Sequence, residues 1–151
     1  MMTDSLILPV SGITGRGSSL NPFIVLDEAA RFIDFAGLVF GAQEVSRART
    51  TMPDGRLIHA ELELGDSLLL LADRLHGWPA RPGLFQIWVS DIEAILGRGT
   101  DCGTSVITPP TPFYGAVTLA RMQDPWGNLW WMYQPARGSP IRFLPGKVGL
   151  T

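Results

Sequence analysis

His59 and Glu61 stand two residues apart in the stretch Leu57-Ile58-His59-Ala60-Glu61-Leu62. If that stretch is a strand, alternate side chains share a face, and an imidazole and a carboxylate come side by side. Such a pair can work as general acid and base, and it can equally be a structural polar pair. Zinc deaminases also use a His-x-Glu spacing, but they complete it with Pro-Cys-x-x-Cys, and Cys102 is the single cysteine here. Cys102 sits in a glycine-punctuated stretch without a neighbouring histidine, so nothing marks it as a nucleophile. His76 has no partner that the sequence names, and there is no Gly-x-Ser-x-Gly elbow. The catalytic residues therefore stay unassigned, with His59 and Glu61 the weak candidates.

A second set of residues is aromatic. Trp88, Trp130, Trp131 and Tyr133 crowd two apolar stretches, with Trp126 in a turn between them. On a strand, Trp131 and Tyr133 point to one side and Trp130 and Met132 to the other. Phe113 and Tyr114 follow a Pro-rich run that can cover a rim. Arg121 holds the place in the second half that Glu61 holds in the first, where it can pair with Glu61 or hold an anionic group. Stacked rings suit a flat, apolar ligand, and the same rings can simply fill a core or an interface.

These residues need elements to position them, and the chain supplies the same order twice. Phe23 to Leu26 reads as a strand. Asp27 is placed to cap a helix whose Ala29, Phe32, Ile33, Ala36 and Phe40 recur at helical spacing, and Gly41 ends it. Glu44 to Thr50 reads as a second strand, Pro53-Asp54-Gly55 as a hairpin turn, Leu57 to Leu64 as an alternating strand, and Ser67 to Ala72 as the last. After a linker at 73–82 the order recurs. Leu84 to Val89 is a strand, and Ser90 with Glu93 forms a capping box for a helix carrying Ile92, Ile95 and Leu96, ended by Gly99 to Gly103. Thr104 to Thr108, Ala116 to Gln123 and Leu129 to Tyr133 are strands. Matching Asp27 to Asp91 and Gly65 to Gly127 superposes the halves. The expected class is α+β: two tandem βαβββ modules, at 20–72 and 83–134, whose mixed sheets pair into a curved cup. An arm at 1–19, with Leu6, Ile7, Leu8 and Val10 as a possible edge strand, precedes the domain at 20–134. A Pro/Gly-punctuated tail at 135–151 follows it.

The repeated order, with Asp-x-Ala-x-x-Phe-Ile-Asp-Phe early and Asp-Pro-Trp-Gly-Asn late, resembles the vicinal-oxygen-chelate superfamily, which includes glyoxalases, bleomycin-resistance proteins and extradiol dioxygenases. The run from Gly55 to Leu62 and the following Gly65-Asp66-Ser67 are similar to its PhnB-like subgroup. The resemblance covers about Asn21 to Tyr133. It implies paired βαβββ modules around a cavity, and it leaves the activity open, because that fold hosts many.

In metal-dependent members of that superfamily the ligands are His, Glu or Gln on the first and fourth strands of each module. Counting from the matched landmarks puts the corresponding positions at Leu20, Leu84, Leu69 and Trp131. None carries a lone pair that a divalent cation takes, so no metal and no cofactor is expected. The resemblance also puts the Trp131 face inside the cup. With it come Gln86, Trp88 and Tyr133, with Leu69 from the first module, Phe113 and Tyr114 at the rim, and Arg121 as the residue that can clamp an anionic group. These eight are the expected ligand contacts.

Composition narrows the class. Of 151 residues 46% are hydrophobic and only 17% charged, which allows one well-filled domain and points to an oligomer, expected to be a homodimer. The formal net charge is −2, and the only loose basic cluster is Arg137, Arg142 and Lys147, so nucleic acid is not an expected partner. Leu6 to Val10 is too short for a signal core, and no apolar run reaches membrane-spanning length, so a cytoplasmic protein without a membrane partner is expected. The reading that combines these points is a metal-free protein of the bleomycin-resistance type that sequesters or carries an aromatic or apolar small molecule. The alternative is a glyoxalase-like lyase or isomerase, or a dioxygenase-type enzyme, of the same superfamily.

Overall fold

The computed structural model describes residues 6, 7 and 18–138. Leu6 and Ile7 are exposed and belong to no strand; Leu8, Val10, Arg142 and Lys147 lie outside the described residues. The element order is β1 (Phe23–Leu26), α1 (Ala29–Phe40), β2 (Gln43–Glu44), a 3-10 turn (Ser46–Ala48), β3 (Thr50–Thr51), β4 (Leu57–Leu64) and β5 (Ser67–Asp73), then β6 (Leu84–Trp88), α2 (Ile92–Asp101), β7 (Ser105–Pro112), β8 (Val117–Gln123) and β9 (Leu129–Pro135). The first sheet runs β1-β5-β4-β2, with β3 also on β4; the second runs β6-β9-β8-β7. In each, the first strand lies parallel to the last and the remaining pairs are antiparallel. The fold is α+β, two βαβββ modules, as the sequence pattern implies.

Four local expectations need correction. The single strand expected over Glu44 to Thr50 is broken into β2, the 3-10 turn and β3. Asp27 does not cap α1. The flanking residue is Glu28, in a left-handed conformation (φ 55), and the cap comes from another strand: the Ala29 N–H donates to Asp73 Oδ1 at 2.7 Å. The other oxygen of Asp73 accepts the Leu57 N–H at 2.7 Å, so one buried carboxylate ties helix start and strand start together. For α2 the cap is Asp91, which accepts from the Ala94 N–H; Ser90 plays no such part, and Gln134 Oε1 takes the Ile92 N–H. The strand expected over Thr104 to Thr108 is longer: β7 runs on through Pro109 and Pro110 to Pro112. It is an edge strand with irregular register, where a missing N–H costs no ladder bond.

One core serves both modules. It takes Phe32, Ile33, Phe35, Ala36 and Val39 from α1 and Ile24, Leu26, Ala60, Leu62, Leu69 and Leu71 from the first sheet. The second module adds Ile92, Ile95, Leu96, Ala120, Met122, Trp130 and Met132. Trp126 lies edge-on against Phe32 and Phe35, with centroids 5.2 and 5.4 Å away, and Phe40 meets Trp130 at 4.5 Å. The Trp126 Nε1–H donates to the Asp27 carbonyl at 2.7 Å, a bond across 99 residues of chain.

The turn that presents Trp126 is built around Asp124. Its Oδ1 accepts the N–H groups of Trp126 and Asn128, and its Oδ2 accepts Asn128 Nδ2–H and Trp130 Nε1–H. Asn128 Oδ1 in turn accepts the Gly83 N–H at 2.7 Å. Gly127 sits at φ 86, which a side chain resists, and that conformation lets the turn close around the carboxylate. Each residue of Asp-Pro-Trp-Gly-Asn except Pro125 therefore has a stated structural task.

Candidate functional site

With the core on one face of each sheet, strand alternation sends the opposite set of side chains away from it. In the second module that set is Gln86 and Trp88 on β6, Trp131 and Tyr133 on β9, and Leu119 and Arg121 on β8, brought level by the pairs Gln86–Trp131, Trp88–Tyr133, Arg121–Trp131 and Leu119–Tyr133. The face is aromatic and layered. Trp88 and Tyr133 lie 5.4 Å apart, Tyr133 and Phe113 5.8 Å, and Phe113 and Tyr114 5.0 Å. The Arg121 guanidinium carbon stands 4.7 Å from the centre of the Trp131 ring. Phe113 and Tyr114 are both well exposed, in the turn that joins β7 to β8. Seven of the eight expected contacts thus lie on one face or at its edge.

Leu69 does not join them. It is buried in the core on the α1 side of its sheet, paired with Leu62. The cause is a one-residue shift in matching the halves. Helix α1 begins at Ala29 and α2 at Ile92, so Glu28, not Asp27, is the counterpart of Asp91. The strand pairs agree: Phe23 opposite Leu70 corresponds to Gln86 opposite Trp131. In module one the face equivalent to Trp131 therefore carries Phe23 and Val25 on β1 and Leu68, Leu70 and Ala72 on β5; Leu69 falls on the other side, and Leu20 is exposed in the bend before β1.

The same register tests the divalent-metal site. On the first and last strands of both modules, the residues sharing this face offer one donor of the required kind, the Gln86 amide oxygen. Asn21, just before β1, has its amide engaged with Ser18. Among the described residues no group of three or more His, Cys, Asp or Glu is placed to hold an ion. The residues present do not fit a metal of the superfamily's kind.

On β4 of module one, His59 and Glu61 come together as expected: His59 Nε2 lies 3.2 Å from Glu61 Oε1. Glu61 is only 1% exposed, His59 is half-buried, and the Phe23 ring lies 6.2 Å from the imidazole. Register makes Glu61 the counterpart of Arg121, since Glu61 faces Leu70 as Arg121 faces Trp131. Cys102 is the half-buried residue that follows α2, and His76 is exposed in the linker. A groove of about 430 Å³ lies between the β4–β5 turn and β6, with Gln86 and Trp88 in its wall. A larger cleft of about 630 Å³ opens on the α1 side, between Phe35, Trp126 and a balanced set of charges, Asp27, Glu28, Arg31 and Arg74 among them. Asp27 is already paired there with Arg74, and Glu28 with Arg31. No described helix is long and apolar enough to cross a membrane.

Sequence reasoning missed Asp73 and Gln134 as capping groups and Leu68 and Leu70 as the outward leucines. A parity count from the helix starts would have found the leucines; nothing local marks the two caps, which come from distant strands.

No family model matches the chain. An uncharacterized protein of Mycobacterium bovis is 30% identical over 130 residues, covering 79% of this chain and 84% of that protein. An uncharacterized Mycobacterium tuberculosis protein is likewise 30% identical over 130 residues, with 75% of its length covered. Among solved structures, TioX from Micromonospora sp. ML1 superposes with a TM-score of 0.60 at 21% identity, over 76% of this chain and 98% of that one. A glyoxalase/bleomycin resistance protein/dioxygenase family enzyme from Burkholderia phytofirmans gives 0.60 at 22%, over 74% and 94%. The fosfomycin resistance protein FosX from Mesorhizobium loti gives 0.55 at 12%, over 78% and 92%.

Proposed function

The chain has the fold of the vicinal-oxygen-chelate superfamily and belongs to one family with the mycobacterial proteins; from that premise we propose that it binds an aromatic small molecule, without a metal, on the module-two face. The observation that carries this reading is the register of β1, β5, β6 and β9. Of the places where metal-dependent relatives of this fold hold their ligands, three are taken by Phe23, Leu70 and Trp131, and Gln86 alone carries a donor. A face with a single donor for a cation, on which the rings of Trp88, Tyr133 and Phe113 lie in contact, is suited to hold a flat ligand by ring contact and desolvation. In this reading the protein sequesters or carries its ligand and makes or breaks no bond.

The proposal includes a homodimer. Both helix-side faces are used up in the chain's own core, so the module-one and module-two outer faces point away from it. A second copy that packs against the Trp131 face encloses its rings in a cup. A cytoplasmic location is part of the same proposal, with the single Cys102, which allows no disulfide within the chain, as its support.

The test is a titration of the purified protein with neutral planar aromatics and, separately, with Zn²⁺, Ni²⁺ and Mn²⁺. Saturable quenching of tryptophan emission by the aromatics, lost in Trp131→Ala and Tyr133→Ala, is the expected result. One tightly held metal ion per chain would overturn the reading.

One observation favours a second reading. The His59–Glu61 pair has the geometry of an acid–base dyad on the module-one outer face, as a lyase or isomerase of this fold would need. Under that reading His59→Gln abolishes turnover of a bound compound while its affinity is kept.

A further inference from the structure

We propose that the ligand is an anion: a planar aromatic that bears a carboxylate or a comparable oxyanion, received by Arg121 and by the indole N–H of Trp131. The inference rests on the aromatic-binding reading and narrows it to one chemical class.

Arg121 and Trp131 face each other across β8 and β9. The guanidinium lies against the indole, and that contact holds the cation in place over the ring. It does not use the cation's hydrogen-bonding capacity. Arg121 Nε and Trp131 Nε1 are both buried, and neither donates to an acceptor among the described residues. Donors hidden from water are normally paired, so two such N–H groups on facing residues mark a place where an acceptor belongs. The acceptor has to be rich in electrons, because one of the two donors carries a full charge.

The counter-charge is missing from the sheet as well. Strands β6, β7, β8 and β9 contain no aspartate or glutamate at all. The nearest acid in sequence, Asp124, spends both oxygens on the turn that follows β8. A cation set among rings, with buried donors and no carboxylate on its own sheet, selects an anion over a neutral molecule and rejects a cation. The rings around it, Trp88, Tyr133 and Phe113, determine that the rest of the ligand is flat.

One other source of the carboxylate exists. In a dimer cup, the partner's Glu61 could approach Arg121, since the two positions correspond in the paired modules. The experiment separates the cases. Equilibrium dialysis is run with 2-naphthoate, 2-naphthamide and 2-naphthylmethylammonium, on the native protein, Arg121→Gln, Arg121→Lys and Glu61→Gln. We expect the acid to bind about tenfold or more tighter than the amide, and the ammonium weakest. We expect Arg121→Gln to lose that preference while keeping the amide's affinity, and Arg121→Lys to retain part of it. If Arg121→Gln does not fold, salt gives the readout in native protein: rising NaCl weakens the acid and leaves the amide unchanged.

Equal binding of acid and amide overturns the inference and leaves the aromatic-binding reading standing. So does a preference that survives in Arg121→Gln. A preference that emerges only in Glu61→Gln means the partner's carboxylate already occupies the place, and it overturns the inference too. Failure of all three compounds to bind removes the underlying reading.

Discussion

Asp124 shows how much one side chain can organise. It is 4% exposed and accepts four hydrogen bonds, from two backbone N–H groups, an amide and an indole. Replacing it with alanine strands those donors, the indole of buried Trp130 among them. We expect Asp124→Ala to lose about 3 kcal/mol or more of stability in urea unfolding, against a smaller loss for Asp124→Asn, which keeps part of the acceptor set. Glu28 is the opposite case, a residue in a conformation its Cβ resists. Its φ of 55 is the only positive value among described non-glycine residues, and the ion pair it makes with Arg31 is exposed. Glu28→Gly is expected to raise stability by up to about 1 kcal/mol, seen as a higher midpoint in thermal unfolding, since the relieved strain exceeds the value of a surface pair.

At the scale of elements, the α1 ends are handled differently. Its C-terminus is closed locally by Gly41, with φ 72 and the Ala42 N–H returning to the Ala36 carbonyl. Its N-terminus is capped at long range by Asp73 from β5. The hairpin before β4 carries its own electrostatic lock: the Arg56 side chain and N–H bond to Asp54 and hold its carboxyl below the usual aspartate range. A depressed carboxyl favours the folded hairpin fully above the ordinary aspartate range, and that contribution fades as pH falls through the lowered value. An NMR pH titration is expected to place Asp54 below a free aspartate in the native protein and to return it toward the ordinary range in Arg56→Gln. Both residues are highly exposed, so the effect on global stability is expected to be small.

At the scale of the whole molecule, Trp126 joins the modules. It touches Phe32 and Phe35 and bonds to the Asp27 carbonyl, all in module one, from a turn in module two. Trp126→Ala is expected to cost about 2–3 kcal/mol in urea unfolding, because a partly buried ring that packs on Phe32 and Phe35 is lost. Sedimentation equilibrium is expected to return the mass of two chains for the native protein, and a monomer at all concentrations would remove the cup as proposed.

Element type and order were legible in the residues themselves. The strand Leu57–Leu64, the Gly41 stop and the Asp-Pro-Trp-Gly-Asn turn are written in local periodicity and turn chemistry, and the two-module α+β fold followed from their repetition. So was most of the candidate face, because Trp131 and Tyr133 share a parity that no tertiary contact can alter. What local pattern does not encode is the register between distant strands. A one-residue slip in matching the two halves, which the helix starts could have corrected, put Leu69 on the wrong side, since neighbouring strand positions point to opposite faces. Tertiary structure alone decided that Asp73 caps α1, that Trp126 wedges into the first module, and that the Arg121 and Trp131 N–H groups are left buried without acceptors. Each of these depends on what comes to lie against a residue from far along the chain, and that is determined by packing rather than by neighbours in sequence.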